Sequence, residues 1–178
     1  MKGFNELINI RQSCRNYNGN PVEREKLEAV LNAAVAAPSA CNSQPWKYYV
    51  VTKAKDTEKM REFVKVGGRN KFADNCPVFA VVVEQPAVLK AGASDEDQQK
   101  FAQMDIGISV AHYCFEAVEQ GLSTCIMGCF DEDKIKKYIG IPDERTVRLV
   151  IATGYASADD KIRAKIRKPV SETVEFIK

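Results

Sequence analysis

The sequence predicts an α+β domain, and three observations carry that prediction. Amphipathic helical patterns alternate with short runs rich in β-branched and aromatic residues. One such run, Cys76-Pro77-Val78-Phe79-Ala80-Val81-Val82-Val83, is apolar almost without a break, which suits a central strand covered on both faces. A long helical stretch from about Met104 to Gln120 is apolar on most sides, so it must be buried in a core or against another subunit. With 178 residues, the chain is long enough for one substantial core and too short for two comfortable domains. No internal repeat, linker or low-complexity segment divides residues 1–178.

The elements follow in order. Phe4, Leu7, Ile8 and Arg11 fall at helical spacing over 4–11. Asn18-Gly19-Asn20-Pro21 signals a turn, with Asn20 as N-cap and Pro21 at the first helical position of the next helix. Leu27, Val30, Leu31 and Ala34 form the apolar face of that helix, which runs to about Ala36. Pro38 and Pro45 then fix both ends of a polar segment. Trp46 to Thr52 reads as a strand. Asp56 caps a helix from Thr57 to about Val66, stopped by Gly67-Gly68.

After the apolar strand, residues 84–103 turn polar and loop-like, with Pro86, Gly92 and Ser94-Asp95-Glu96-Asp97. This is a solvated connection or a lid. Gly121 ends the long helix, and Leu122–Met127 forms a strand. Gly128-Cys129-Phe130 leads into a helix begun by Asp131 and ended near Gly140. Thr146–Thr153 is the last strand, and an extended basic tail follows.

The 26 basic and 24 acidic residues leave a net charge of +2, so there is no electrostatic case for nucleic acid or an anionic membrane. No stretch has the length of a membrane span, and the chain reads as cytoplasmic. None of the six cysteines forms a Cys-x-x-Cys pair, and His112 is the only histidine. This argues against zinc or iron–sulfur sites and for free thiols, several of them buried as small hydrophobes.

Two segments offer chemistry. Arg11, Ser13 and Arg15 gather two guanidinium forks and a hydroxyl, which suit a phosphate or else stand as solvated surface groups. In Pro38-Ser39-Ala40-Cys41-Asn42-Ser43-Gln44-Pro45-Trp46, hydroxyls and amides could meet the edge of a planar heterocycle. Taken alone, these residue types favour an ordinary turn after a helix. Gly128 permits close backbone approach to a planar ligand. Lys165 and Arg167 alternate, so an extended tail presents them on one side.

Together, Arg11-Gln12-Ser13-Cys14-Arg15 and Pro38–Trp46 resemble the nitroreductase family of flavin enzymes. That family has an Arg-x-Ser-x-Arg element near its N-terminus, followed by a Pro-Ser-x-x-Asn-x-Gln-Pro-Trp loop. Ile126–Phe130 and Lys165–Arg167 match two further family segments in order, so the likeness covers almost the whole chain. It implies a nitroreductase-like fold, with a central mixed but mainly antiparallel sheet flanked by helices, in an intertwined homodimer. It also implies one FMN-binding domain over 1–178, with each FMN at the interface between subunits. The cofactor-binding residues implied are Arg11, Gln12, Ser13, Arg15, Pro38, Ser39, Asn42, Asn70, Lys71, Met127, Gly128, Cys129, Lys165 and Arg167. The basic tail would close on the same phosphate as the Arg-x-Ser-x-Arg element.

The implied reaction passes hydride from NAD(P)H through flavin N5 to a small electron-poor acceptor such as a nitroaromatic or quinone. The flavin carries that chemistry, so no side chain is assigned a catalytic role and no metal is expected. Two departures stand out. The chain has no acidic residue around Gly128, and Cys41 replaces another small residue. The alternatives are another flavin reaction on the same fold, such as dehalogenation or flavin fragmentation, or a redox-sensing flavin module. The sequence has no Gly-x-Gly-x-x-Gly, so no separate dinucleotide site separates NADH from NADPH.

Overall fold

A computed structural model describes residues 2–89 and 94–177. Four strands, β1 (Trp46–Val51), β2 (Val78–Glu84), β3 (Ser123–Met127) and β4 (Val147–Gly154), form one sheet in the order β1-β2-β4-β3. Every ladder is antiparallel. An isolated parallel bridge between Ser13 and Thr124 extends pairing past β3. The four-stranded sheet is therefore antiparallel throughout, where the family likeness implies a mixed, mainly antiparallel one; the single parallel bridge lies outside its ladders.

All seven residues of β2 are buried. Because side chains alternate across a strand, β2 divides its apolar run between two cores. Phe79, Val81 and Val83 face a layer with Met60, Phe63 and Val64 of α3 (Ala54–Val64) and Ile135 of α5 (Glu132–Ile139). Ala80 and Val82 face Val30 and Ala34 of α2 (Arg24–Val35), together with Ile106, Val110 and Tyr113 of α4 (Asp95–Glu119). Two short helices, α1 (Phe4–Ile10) and α6 (Val170–Thr173), lie near the ends.

Several boundaries differ from the sequence expectation, each for a local reason. The long helix begins at Asp95, inside the stretch expected to be loop. Ser94 is its N-cap: its hydroxyl oxygen accepts from Asp97 N at 3.2 Å and donates to the Asp97 carboxylate at 2.8 Å. Residues 90–93 of the expected loop, Gly92 among them, lie outside the described residues.

Asn20 does not cap α2; its N–H bonds Asn18 Oδ1 at 2.9 Å, and Glu23 takes the cap position. Pro21 therefore lies before the helix, not at its first position. Likewise α3 starts at Ala54, which puts Asp56 in its first turn, where a carboxylate still complements the dipole. The tail is not extended throughout, since it closes in the one-turn α6.

On α4 the apolar surface divides. Ile106, Val110 and Tyr113 are buried on the sheet, whereas Phe101, Met104 and Ile108 remain 42%, 58% and 40% exposed. The helix is therefore covered on one side within the chain and uncovered on the other.

Candidate functional site

Arg11–Tyr17 leaves α1 and runs beside β3, where Cys14 N donates to Thr124 O at 2.9 Å. Cys14 and Tyr17 anchor the segment in the core, and Tyr17 Oη donates to Ala152 O at 3.0 Å. Gly154 is required for this packing. A Cβ there would lie 2.6 Å from Pro77 Cδ and 3.2 Å from the Tyr17 ring. Arg11 and Ser13 are left half-buried and Arg15 exposed.

The tail lies against the same segment. Gln12 donates from Nε2 to Lys161 O at 3.2 Å and accepts from Arg163 N at 3.0 Å, in the manner of a sheet ladder. Arg163 donates to Ser13 O at 2.5 Å and pairs with Asp160 at 2.8 Å. Lys165 Nζ donates to Arg11 O. Burial, then the neighbouring charges of Arg11, Arg167 and Arg163, hold the Lys165 pKa below the usual lysine value. Among the described residues, Arg11, Arg15, Lys165 and Arg167 form no ion pair with a carboxylate. This concentration of unneutralised donors fits a phosphate dianion.

Past the far end of β3, Asn70 joins the turn at 128–130. Its amide donates to Cys129 O at 2.8 Å and to Val64 O at 3.0 Å, from a backbone with φ 54°. Arg69 approaches Cys129 Sγ at 3.8 Å, and Lys71 is exposed. Met127 is buried in the core, so only its backbone can face a ligand. A Cβ built on Gly128 meets nothing within 4 Å, so packing within the chain does not require glycine there.

The loop from Pro38 to Pro45 is held elsewhere. Cys41, Asn42 and Gln44 adopt φ of 49°, 55° and 49°, each costing on the order of 1 kcal/mol or more for a residue with a Cβ. The conformation is fixed by Gln44 N donating to Ser39 Oγ at 2.9 Å and Gln44 Nε2 donating to Asn42 Oδ1 at 3.1 Å. Outside the loop, Ala40 N donates to both carboxylate oxygens of Asp105 on α4, at 3.2 and 3.1 Å. Val88 N donates to Ser43 Oγ at 2.7 Å. Pro38 and Asn42 are exposed, while Ser39 is half-buried.

The predicted residues thus form two groups. Arg11, Gln12, Ser13, Arg15, Lys165 and Arg167 gather beside β3, with Asn70, Lys71 and 127–129 past its end. Pro38, Ser39 and Asn42 stand on a loop tied to α4. Two residues were missed. Arg163 was signalled by the perfect alternation of Lys161, Arg163, Lys165 and Arg167. Asp105 had only the weak signal of a carboxylate at the start of an apolar helix.

The thiols divide by burial. Cys14 and Cys76 are pushed up to about 12 by desolvation, and Cys114 and Cys125 are raised for the same reason. Cys41 and Cys129 are exposed, and all six are free. Among the described residues no group of His, Cys, Asp and Glu could hold a metal ion, and no helix is long and apolar enough to cross a membrane.

Comparison with known proteins bears on this arrangement. A family model described as the nitroreductase family matches residues 8–67 and 62–155. A Bacillus subtilis protein named Putative NAD(P)H nitroreductase MhqN is 26% identical over 208 aligned positions, spanning 99% of this chain and 100% of its own. A solved nitroreductase family protein from Clostridium difficile 630 superposes with a TM-score of 0.82 at 27% identity, covering 98% of each chain. A solved oxidoreductase described as containing FMN superposes with a TM-score of 0.74 at 25% identity, covering 88% of this chain and 78% of that one.

Proposed function

This chain belongs to the nitroreductase family, and on that premise we propose that it is a cytoplasmic FMN-dependent oxidoreductase. It passes hydride from NAD(P)H to an electron-poor acceptor such as a nitroaromatic or a quinone. Bound FMN supplies the hydride-carrying atom, flavin N5, and the protein binds and orients it.

The observation that carries this reading is the cluster of Arg11, Arg15, Lys165 and Arg167, which has no carboxylate partner among the described residues and suits the FMN phosphate. Ser13 adds a hydroxyl to the same group. Gln12 acts on the tail, holding 161–163 so that Lys165 and Arg167 stay near the phosphate. Asn70, Lys71 and the backbone of Met127, Gly128 and Cys129 would border the ring, where the open space above Gly128 admits a planar group. Pro38, Ser39 and Asn42 would meet the ring from the other loop.

That separation of the two groups supports an intertwined homodimer with FMN between subunits. The uncovered face of α4, with Phe101, Met104 and Ile108, gives such a dimer its apolar contact. The tail, where Ile166 and Phe176 are 89% and 81% exposed, has apolar side chains that a partner could cover.

The test is direct. Purified protein should be yellow, release FMN on denaturation, and oxidise NAD(P)H faster when a nitroaromatic or quinone is added. Colourless protein that also fails to take up added FMN would end this reading.

A further inference from the structure

Helix α4 reads as apolar in sequence, yet Gln98, Asp105 and Ser109 line a polar stripe on it at helical spacing. Each contacts a different neighbouring segment. Gln98 Oε1 accepts from Leu89 N at 2.8 Å, Asp105 accepts from Ala40 N, and Ser109 Oγ donates to Ala34 O at 2.8 Å. The adjacent Gln99 accepts from Ala87 N at 3.0 Å and donates to Gln85 O at 3.1 Å.

Asp105 is the unusual member. It is 5% exposed, forms no ion pair among the described residues, and directs both carboxylate oxygens at a single backbone N–H. Burying a carboxylate without a cation costs free energy, which the hydrogen bond from Ala40 N offsets in part. The N–H it holds belongs to the residue immediately before the left-handed pair Cys41 and Asn42.

We propose that Asp105 is a positioning residue for the flavin-facing loop. Its carboxylate fixes Ala40, and so keeps the Cys41–Gln44 turn in the strained conformation that presents Ser39 and Asn42. The same turn is joined to residues 85–89 through Ser43 and Val88, and through Gln85 N donating to Pro45 O at 3.0 Å. Gln98 and Gln99 hold that second segment, so α4 clamps both loops as one body. This assignment rests on the flavin reading for its consequence, but the clamp itself belongs to the free protein.

The experiment compares wild type, Asp105→Ala and Asp105→Asn by amide exchange without flavin and by FMN titration. In Asp105→Ala, the amides of residues 40–44 should exchange at least tenfold faster, while those of β2 and β4 stay protected. FMN affinity should fall roughly tenfold to a hundredfold, the scale of losing a hydrogen bond to a charged group. The visible bands of the residual bound flavin should shift, which a general loss of stability would not cause.

Asp105→Asn keeps one acceptor of the same shape. It should restore FMN affinity to within a few-fold and confine faster exchange to Ala40. This variant decides the matter if the alanine protein does not fold. Wild-type exchange rates at 40–44 in both variants would overturn the proposal, as would faster exchange with unchanged FMN affinity and spectrum. If wild type takes up no FMN, the flavin reading fails by itself, and the exchange rates alone still judge the clamp.

Discussion

The basic group beside β3 and the loop at 38–45 are built on opposite principles. The first is a set of charged side chains carried on ordinary backbone, with cations from two ends of the chain gathered by the Gln12 and Arg163 contacts. The second is nearly neutral and relies on backbone shape, with three left-handed residues held by Ser39 and Asp105. The contrast separates a gathering of charge, which tolerates some movement, from a shaped backbone, which does not; the proposed ligand would use the first for its phosphate and the second for its ring edge.

The largest expected effect tests whether the two regions meet only between subunits. Ile108→Asp places a charge on the uncovered face of α4 and should dissociate the proposed dimer and release flavin together, as read by sedimentation and visible absorbance. Val110→Asp is a different perturbation, because Val110 is buried on the chain's own sheet. It should unfold the subunit. A monomeric Ile108→Asp protein that retains stoichiometric FMN would show that one chain completes the site.

Next in size is a contrast between ligands. Arg15→Ala and Arg167→Ala should each weaken FMN binding by about 1.5–3 kcal/mol and leave riboflavin, which lacks the phosphate, unaffected. Their combination should be non-additive if both meet one phosphate, as proposed. Asn42→Gly, which suits the φ of 55°, should instead weaken FMN and riboflavin by the same factor. Equal losses for both ligands in Arg167→Ala would remove the tail from the phosphate site.

Gly128→Ala should alter thermal stability without flavin by less than about 0.5 kcal/mol, because its Cβ meets no neighbour in the chain. FMN affinity should nevertheless drop if the ring occupies that space. Gln12→Ala should have the smallest effect, about 0.5–1.5 kcal/mol in FMN affinity. Faster amide exchange at Arg163 is its signature, since Gln12 accepts from that N–H.

Much of this was legible in the sequence where side-chain pattern decides structure. The apolar run at β2, the Gly140 cap with φ 78° and the alternating basic tail were each readable from residue type and spacing. The misreadings arose where local hydrogen bonding chose between elements. Ser94-Asp95-Glu96-Asp97 has loop composition, but a side chain three residues from a serine can close a cap. Asn20 precedes a proline in N-cap fashion, yet the helix starts four residues later, at Arg24. The conformation of 38–45 was out of reach, because its anchor, Asp105, is 65 positions from Ala40. Nothing near the loop announces it.

The tail contacts have a consequence for the order of assembly. The bond from Arg163 to Ser13 spans 150 positions, and that from Lys165 to Arg11 spans 154. The core contact of Tyr17 with Ala152 already spans 135 positions, so these contacts add little loop-closure cost; they come late because residues 161–167 leave the ribosome after β4. The sheet and the buried residues of both cores end with β4, and only Tyr155 and Ala156 pack on from beyond it, so they can form first. The proposed anion site then appears after the sheet, and a nascent chain passes through a folded stage that would have little hold on a phosphate.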